Sequence, residues 1–478
     1  MPLGDGGKEF LMKTGKSITM KRCTALLLAL LCAGCAGGGA LTTESSGTGP
    51  WIAGCAYAEI PLPDEGPFYI AGYHNGWEIT EVRDLQRATA LWLEAGDCRT
   101  AIVSVDCVGL GSDTVARIRD ALGDLTAETG CTVHVVATHD HAGLDTLGLW
   151  GPVAEDGKNP AFMDNLVAAC RDAVLRAYED RRAGKLYASD TEMEGMYRDS
   201  RDPQIWDPML HQVRFVPDDG GAGIRVISCG AHAESLRGAN TRLSRDYPGV
   251  LCDLVEERTG DRALFLPGAV GGLIMTKEFI DPFDAEENLL VTGEKLAQIA
   301  CGPCEEVELA PSFSDTSVAF SVPLDNTTFL YYKFLGILGN EAKPGAGETG
   351  YELGTSLSVL RLGTKTLLLI PGEIFPELVF GGGRGDMAAH PERENPEPLG
   401  EILASHGLDD FFVVGLADDE LGYIVPPDDF LVDERAPYLE AAKPADGSRH
   451  YEETNSVGRG CADAIANALR ELLKSISE

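Results

Sequence analysis

The chain has 478 residues, 44% of them hydrophobic and 24% charged, which is ordinary for a soluble globular protein with a large core. Its 75 acidic residues outnumber its 39 lysines and arginines, for a formal net charge of -36. That balance excludes nucleic acid as a partner, because neutralising a phosphate backbone takes clustered cations.

At the N-terminus, Lys13, Lys16, Lys21 and Arg22 precede the apolar run Thr24–Leu31, which is too short to span a bilayer and reads as an export signal. LCAGC (Leu31–Cys35) follows and resembles a bacterial lipoprotein signal with Cys35 as the lipidated residue. Plain secretion and a start at Met20 are the alternatives. Residues 1–35 are thus expected to be a signal, and 36–50, rich in Gly, Ser and Thr, a flexible tether. Residues 51–478 are expected to form one large domain of an exported, cell-surface or secreted bacterial protein. Ten of the thirteen cysteines lie beyond residue 50, where export would permit disulfides. Cys301-Gly-Pro-Cys304 follows a helical stretch (Ala285–Ala300) where a thioredoxin-type dithiol needs a strand, so it reads as a local disulfide or two thiols.

Trp51–Ile60 alternates as a strand does and leads to the glycine-flanked loop Gly72-Tyr73-His74-Asn75-Gly76. Leu85–Leu93 and Thr100–Asp106 read as strands, Ser112–Thr129 as a helix and Val133–Val136 as a buried strand. At the end of that last strand stand Thr138, His139, Asp140 and His141. Side chains two apart on an extended chain point the same way, so His139 and His141 can reach one point, as a metal or a reacting group requires. Ala161–Asp180 is an amphipathic helix, and the loop Thr191–Pro208 carries Arg198 and Arg201. Strands follow at Gln212–Val216 and Ile224–Ser228, the second ending in CGAHAES with His232, Glu234 and Ser235. Ala263–Leu266 runs into PGAVGGL (Pro267–Leu273). Val318–Pro323 and Ser356–Arg361 are strands flanking 326–350, which reads as a mobile segment. Thr366–Ile370 ends in PGE, placing Glu373 at a strand end and at a helix start. Phe411–Leu416 is a last buried strand, followed by ADDELGYIV with Tyr423 and HYEETNS with Tyr451, and the helix Ser456–Ser475 closes the chain.

These elements give an α/β fold with a large mixed or parallel sheet, flanking helices and an active site at strand carboxyl ends, where such sheets gather their ligands. His139, His232, Glu373 and Tyr423 each follow an apolar strand. Two imidazoles, a carboxylate and a phenolic oxygen form a donor set suited to Zn2+.

At these residues the sequence resembles the neutral ceramidase family, in its N-terminal catalytic domain, over about Ile52 to Asn455. The resemblance lies in AGYHNG, in THDHAG for the family's THTHSGP, in GAHAES, in PGE, and in GLADDELGYIV with HYEETNS. It implies that His139, His232, Glu373 and Tyr423 bind the catalytic zinc and that His141 stands beside them as an acid/base group. It implies that Arg201 and Tyr451 orient the scissile carbonyl or stabilise its oxyanion. The implied activity is hydrolysis of an N-acyl amide by zinc-activated water, on a small-molecule or lipid substrate, with the membrane surface reached through Cys35. The chain departs from the family in three places. Gly271 or Gly272 stands where the family has a serine, ADDE replaces the family's N-x-Y, and no C-terminal immunoglobulin-like domain is expected. A zinc amidase or esterase with a non-sphingolipid substrate, and a zinc- or lipid-binding lipoprotein without catalysis, stay open beside the ceramidase reading. The metallo-β-lactamase pattern also opens T-H-x-H, but it continues x-D-H where this chain has Ala142-Gly143-Leu144.

Overall fold

The computed structural model describes residues 41–477 apart from 273, 281–283, 446 and 449, so the expected signal and Cys35 lie outside the described residues. In chain order the strands are β1 (Leu41–Thr48), β2 (Trp51–Glu59), β3 (Glu81–Val82), β4 (Arg87–Ala95), β5 (Cys98–Val105), β6 (Thr132–Ala137), β7 (Arg182–Glu192), β8 (Tyr197–Asp199), β9 (Met209–Pro217), β10 (Ile224–Cys229), β11 (Arg242–Leu243), β12 (Arg262–Pro267), β13 (Ile274–Thr276), β14 (Val307–Leu309), β15 (Ser312–Leu324), β16 (Ala342–Pro344), β17 (Tyr351–Leu362), β18 (Lys365–Leu369), β19 (Glu373–Ile374), β20 (Phe411–Val414) and β21 (Tyr423–Ile424). The helices are α1 (Ser112–Ala121), α2 (Gly123–Thr129), α3 (Pro160–Glu179), α4 (Asp246–Thr259), α5 (Ala285–Ala300), α6 (Thr327–Phe334), α7 (Glu377–Phe380), α8 (Leu399–Ala404) and α9 (Cys461–Ser477).

Two mixed sheets form the core where a single sheet was expected. One runs β12-β10-β9-β7-β2-β4-β5-β6, with β14 on β7, and the other β1-β15-β17-β18-β20, with β16 on β17. The two-residue period of each strand decides what each face touches. On β4, Leu91, Leu93 and Ala95 enter the core between the sheets, while Ala88, Ala90 and Trp92 pack with Val115 and Ile118 of α1 and Phe162 and Leu166 of α3. On β20, Phe412 and Val414 share the core between the sheets, while Val413 joins Ile402 of α8 and Leu469 and Leu472 of α9. The layers are therefore helix, sheet, sheet, helix. Cutting Phe412 back to alanine in such a core would cost about 3–5 kcal/mol.

Most neighbouring strands are antiparallel. The parallel pairs of the two sheets are β5 with β6, β10 with β12, and β18 with β20. Each of these includes a strand that leads into an expected site residue.

Several expectations need correction. Residues 41–48 of the expected tether form β1, hydrogen-bonded along the whole edge of β15 from Leu41 to Thr48. A polar strand earns its place at a sheet edge through backbone hydrogen bonds, so composition alone misread it. The 326–350 stretch contains α6, capped by Asn326 Oδ1 accepting from the Thr328 and Phe329 N–H groups, and β16. The helix expected over 112–129 breaks at Leu122 into α1 and α2, and the last helix begins at Cys461 after a 3-10 turn at Glu452–Asn455. Cys301 and Cys304 are unpaired thiols. No described helix is long and apolar enough to cross a membrane.

A buried ionic clasp joins the sheets. His134 on β6 is 1% exposed; its Nδ1 lies 2.6 Å from Asp418 Oδ2 and its Nε2 3.1 Å from Asp315 Oδ2 on β15. Asp418 also receives Arg119 Nη2 at 2.7 Å and the Val135 N–H at 2.9 Å, and its own N–H donates to the Val135 carbonyl at 2.7 Å. Burial opposes a charge on His134, but the two carboxylates prevail and raise it to about 10. Because this folded-state value is above the ordinary 6.5, the clasp stabilises fully below pH 6.5 and its contribution fades as pH rises toward 10. The urea midpoint of the wild type is therefore expected to fall between pH 7 and pH 10. Asp315→Asn should lose about 3–5 kcal/mol at neutral pH, as expected when a buried pair is broken by removing one partner. A wild-type midpoint unchanged up to pH 10 would overturn this account.

Candidate metal centre

The carboxyl ends of β6, β10, β18 and β20 deliver His139, His232, Glu373 and Tyr423 to one region. After β6 the chain turns sharply at His139, whose φ is +62°. Asp140 Oδ1 accepts from the Ala142 N–H at 2.8 Å, and the His141 N–H donates to the Ala233 carbonyl at 3.0 Å, which ties the first histidine loop to the second. Beyond β10, the Ile274 carbonyl receives both the backbone N–H of His232 and its Nδ1, each at 2.9 Å. Glu373 and Tyr423 are direct parallel partners in the short β19–β21 ladder. Gly72, at φ +102°, lies under the His141 ring, where an added Cβ would come within 2.7 Å. That loop therefore needs a glycine for two reasons, its backbone and its neighbour.

The donors point inward. His139 Nδ1 bonds the Val108 carbonyl at 2.7 Å and His232 Nδ1 the Ile274 carbonyl, so each Nδ1 carries the proton and each Nε2 faces the centre. Both Nε2 atoms lie 3.1 Å from the same oxygen, Oε2 of Glu373. His141 Nε2 lies 3.1 Å from His139 Nε2, and one ligand atom from each of His139, His141 and His232 falls within 4.8 Å of the others. The Tyr423 hydroxyl is 3.4 Å from His232 Nε2. Lone pairs of several imidazoles aimed at each other and at a carboxylate repel unless a cation lies among them. This donor set therefore fits a divalent metal. The pKa shifts follow the same demand for positive charge. Burial opposes the charge on Glu373, but the neighbouring histidines hold its carboxyl well below the usual carboxylate range. Burial also opposes protonation of His232, yet Glu373 and Glu234 raise it to about 9. Burial and the adjacent imidazoles keep His141 neutral. Burial and Glu373 hold the Tyr423 proton on.

Other expected residues stand farther off. Tyr451 is 46% exposed at the rim of the cleft, its ring 6.4 Å from that of Tyr423. Arg201, expected at the scissile carbonyl, is 7% exposed and held by Asp429 at 3.0 Å, Glu377 at 3.4 Å and Glu452 at 3.6 Å. Three carboxylates draw it away from the cleft wall, and it reaches the centre only through Phe375, which it covers at 4.4 Å and which meets Tyr423 edge-on. His74 stacks on Trp77 at 4.2 Å and stays outside the cleft. Gly271 is packed against the Ile374–Phe375 backbone, where an added Cβ would lie 2.6 Å from Ile374 C and Phe375 N.

Sequence reasoning did not single out two acids near the centre. Glu234 Oε2 lies 3.8 Å from His141 Nδ1 and accepts from the Tyr73 hydroxyl. Its position two residues after His232 was the available signal. Glu420 lines the cleft, and burial and the charge of Glu373 raise its pKa above the usual carboxylate range.

The cleft is open to solvent, and the space within it amounts to about 70 Å³. His139, His141, Glu373, Tyr423 and Tyr451 line one part of it, and Val108, Leu147, Leu149, Trp150, Phe329, Leu338, Leu353 and Val457 form apolar walls.

A cluster of inward-facing histidines and a carboxylate that could hold a metal, at strand carboxyl ends in a double-sheet α/β sandwich, is the class of site this fold defines. No protein-family model and no curated protein sequence matches the chain. Among solved structures, the neutral ceramidase from Pseudomonas aeruginosa aligns with a TM-score of 0.67 at 16% identity, over 89% of this chain and 75% of that one. A ceramidase complexed with C2 aligns with a TM-score of 0.66 at 16% identity, over 90% and 75%. The chain has the neutral ceramidase fold.

The purified protein is expected to bind about one divalent ion per chain and to melt several degrees lower once chelated, since a ligand bound only by the folded state stabilises it. His139→Ala and His232→Ala should abolish both effects in elemental analysis and calorimetry. Retention of the ion by both variants would rule out this centre.

Proposed function

We propose that the protein is an exported, zinc-dependent, ceramidase-like hydrolase that cleaves the amide bond of an N-acyl lipid. The carrying observation is the coincidence of an inward-facing His139/His232/Glu373 donor set, with His141 beside it, and a cleft with apolar walls. His139, His232 and Glu373 would hold the ion, with Tyr423 beside them. Bound Zn2+ supplies a Lewis acid that polarises a carbonyl and lowers the pKa of water.

The chain's own groups account for the rest. The apolar walls bind the acyl chain and exclude water, at roughly 0.8 kcal/mol for each methylene buried. His141, neutral through burial, offers Nε2 as a proton acceptor next to the His139 ring. Glu234, with Tyr73 behind it, orients His141 from its Nδ1 side. The Tyr451 hydroxyl lies at the rim, where it can donate to the acyl oxygen as charge develops there. Arg201 acts at one remove, since it grips Glu452 and so positions the turn that carries Tyr451. The close packing at Gly271 leaves no space for a side-chain nucleophile, which supports attack by water.

A second reading, the same chemistry on a non-sphingolipid amide or ester, is favoured by Glu420, an acid in the turn where the resembled family carries N-x-Y. For export, the support is the N-terminal signal pattern with Cys35. Palmitate labelling that persists in Cys35→Ser would sink the lipid anchor.

Hydrolysis of a panel of N-acyl amides should stop on chelation and return with Zn2+. His141→Ala should lower kcat by about 10²–10⁴-fold, the usual range for an acid/base group, while leaving the ion bound. Full turnover by metal-free protein would refute the zinc dependence, and bound ion with no turnover of amides or esters would refute the hydrolase reading and favour a binding protein.

A further inference from the structure

Two carboxylates lie on the cleft wall, and only Glu373 is engaged with the histidines. The other, Glu420, is fixed in place by the Gly422 N–H, which donates to its Oε1 at 2.9 Å, and by Gly109, where an added Cβ would lie 2.8 Å from Glu420 Cγ. Its Oε2 is buried and has no hydrogen-bond partner. A buried polar atom left in that state costs about 1–3 kcal/mol. The nearby donors are already taken, because Asp419 accepts from the Ser112 N–H, Asn340 Nδ2 and Thr355 Oγ1. Among the described residues that line the cleft there is no lysine or arginine.

We propose that Glu420 is the specificity-determining residue of the cleft and that it receives a positively charged nitrogen on the amine half of the N-acyl substrate. This rests on the hydrolase reading above and narrows its substrate class. A neutral hydroxyl could satisfy the free oxygen, but it would bring no charge to a stretch where Asp419 and Glu420 are adjacent and no described lysine or arginine lines the cleft. An ammonium supplies both the donor and the charge, in the stronger, charge-assisted form. The net charge of -36 draws such substrates toward the protein at low salt.

Three amides with one dodecanoyl chain test this. Their amine halves are hexylamine, a neutral amino alcohol and a diamine with a free terminal ammonium. Cleavage by the zinc-loaded protein is measured for each, and calorimetric binding is measured for their uncleavable ketone isosteres. The wild type is expected to favour the diamine compound by about tenfold or more in both readouts, as one charge-assisted hydrogen bond would give. Glu420→Leu should erase the preference and Glu420→Gln should weaken it, with melting temperatures confirming that each variant folds. If the leucine variant does not fold, the glutamine variant decides. Equal treatment of the three compounds by the wild type, or a preference that survives both substitutions, would overturn the proposal. If no amide is cleaved while the diamine isostere still binds best and loses that advantage in the variants, the hydrolase reading fails and the assignment of Glu420 stands.

Discussion

The site depends on backbone pairing between strand ends, parallel between β18 and β20 and a single bridge between the two histidine loops. An antiparallel neighbour sends its chain end to the opposite side of the sheet, whereas parallel neighbours end together. Three parallel pairs interrupt two largely antiparallel sheets, and one of them, β18 with β20, joins the two strands that lead to Glu373 and Tyr423. Short ladders then refine the placement. The β19–β21 pair sets Glu373 directly beside Tyr423, and the bridge between Asp140 and Ala233 draws the two histidine loops together. Residues from Val108 to Tyr423 are thereby brought within hydrogen-bonding reach of a single carboxylate or its neighbours.

The environment of the centre is acidic well beyond its ligands. Glu234, Glu420, Asp419, Glu377 and Glu452 are all partly or fully buried close by, and burial raises several of them, Glu377 and Glu452 to about 7. One guanidinium, Arg201, serves two of these acids, Glu377 and Glu452, together with Asp429. Burying so many carboxyls is unfavourable without partners.

The site was more legible in the sequence than the scaffold was. His139 and His141 stood out because a two-residue spacing at the end of a valine-rich strand has few structural explanations. His232 and Glu373 repeated that layout, and the structure brings both to within 3.1 Å of the shared contact. The ion pairs of Arg201 were not legible in the sequence, because Glu377, Asp429 and Glu452 lie 176 or more residues away in the chain. His134 escaped notice for a related reason. It occupies a strand position that should be apolar, and its partners Asp315 and Asp418 are 181 and 284 residues distant. β1 was invisible because its residues are polar and its pairing involves backbone groups alone. The division into two sheets was equally hidden, since a strand buried on both faces has the same pattern whether a helix or a second sheet covers it.

The shared contact at Glu373 Oε2 also governs how the centre is filled. Without a metal, His232 carries the positive charge that the carboxylate demands, and it keeps its proton to about pH 9. A metal can enter only as that proton leaves, so loading near neutrality is an exchange of one cation for another rather than the filling of a vacant hole. Apparent affinity then rises with alkalinity until His232 is already bare. In an acidic surrounding, protons compete for the same atoms, and more metal is needed to fill the centre.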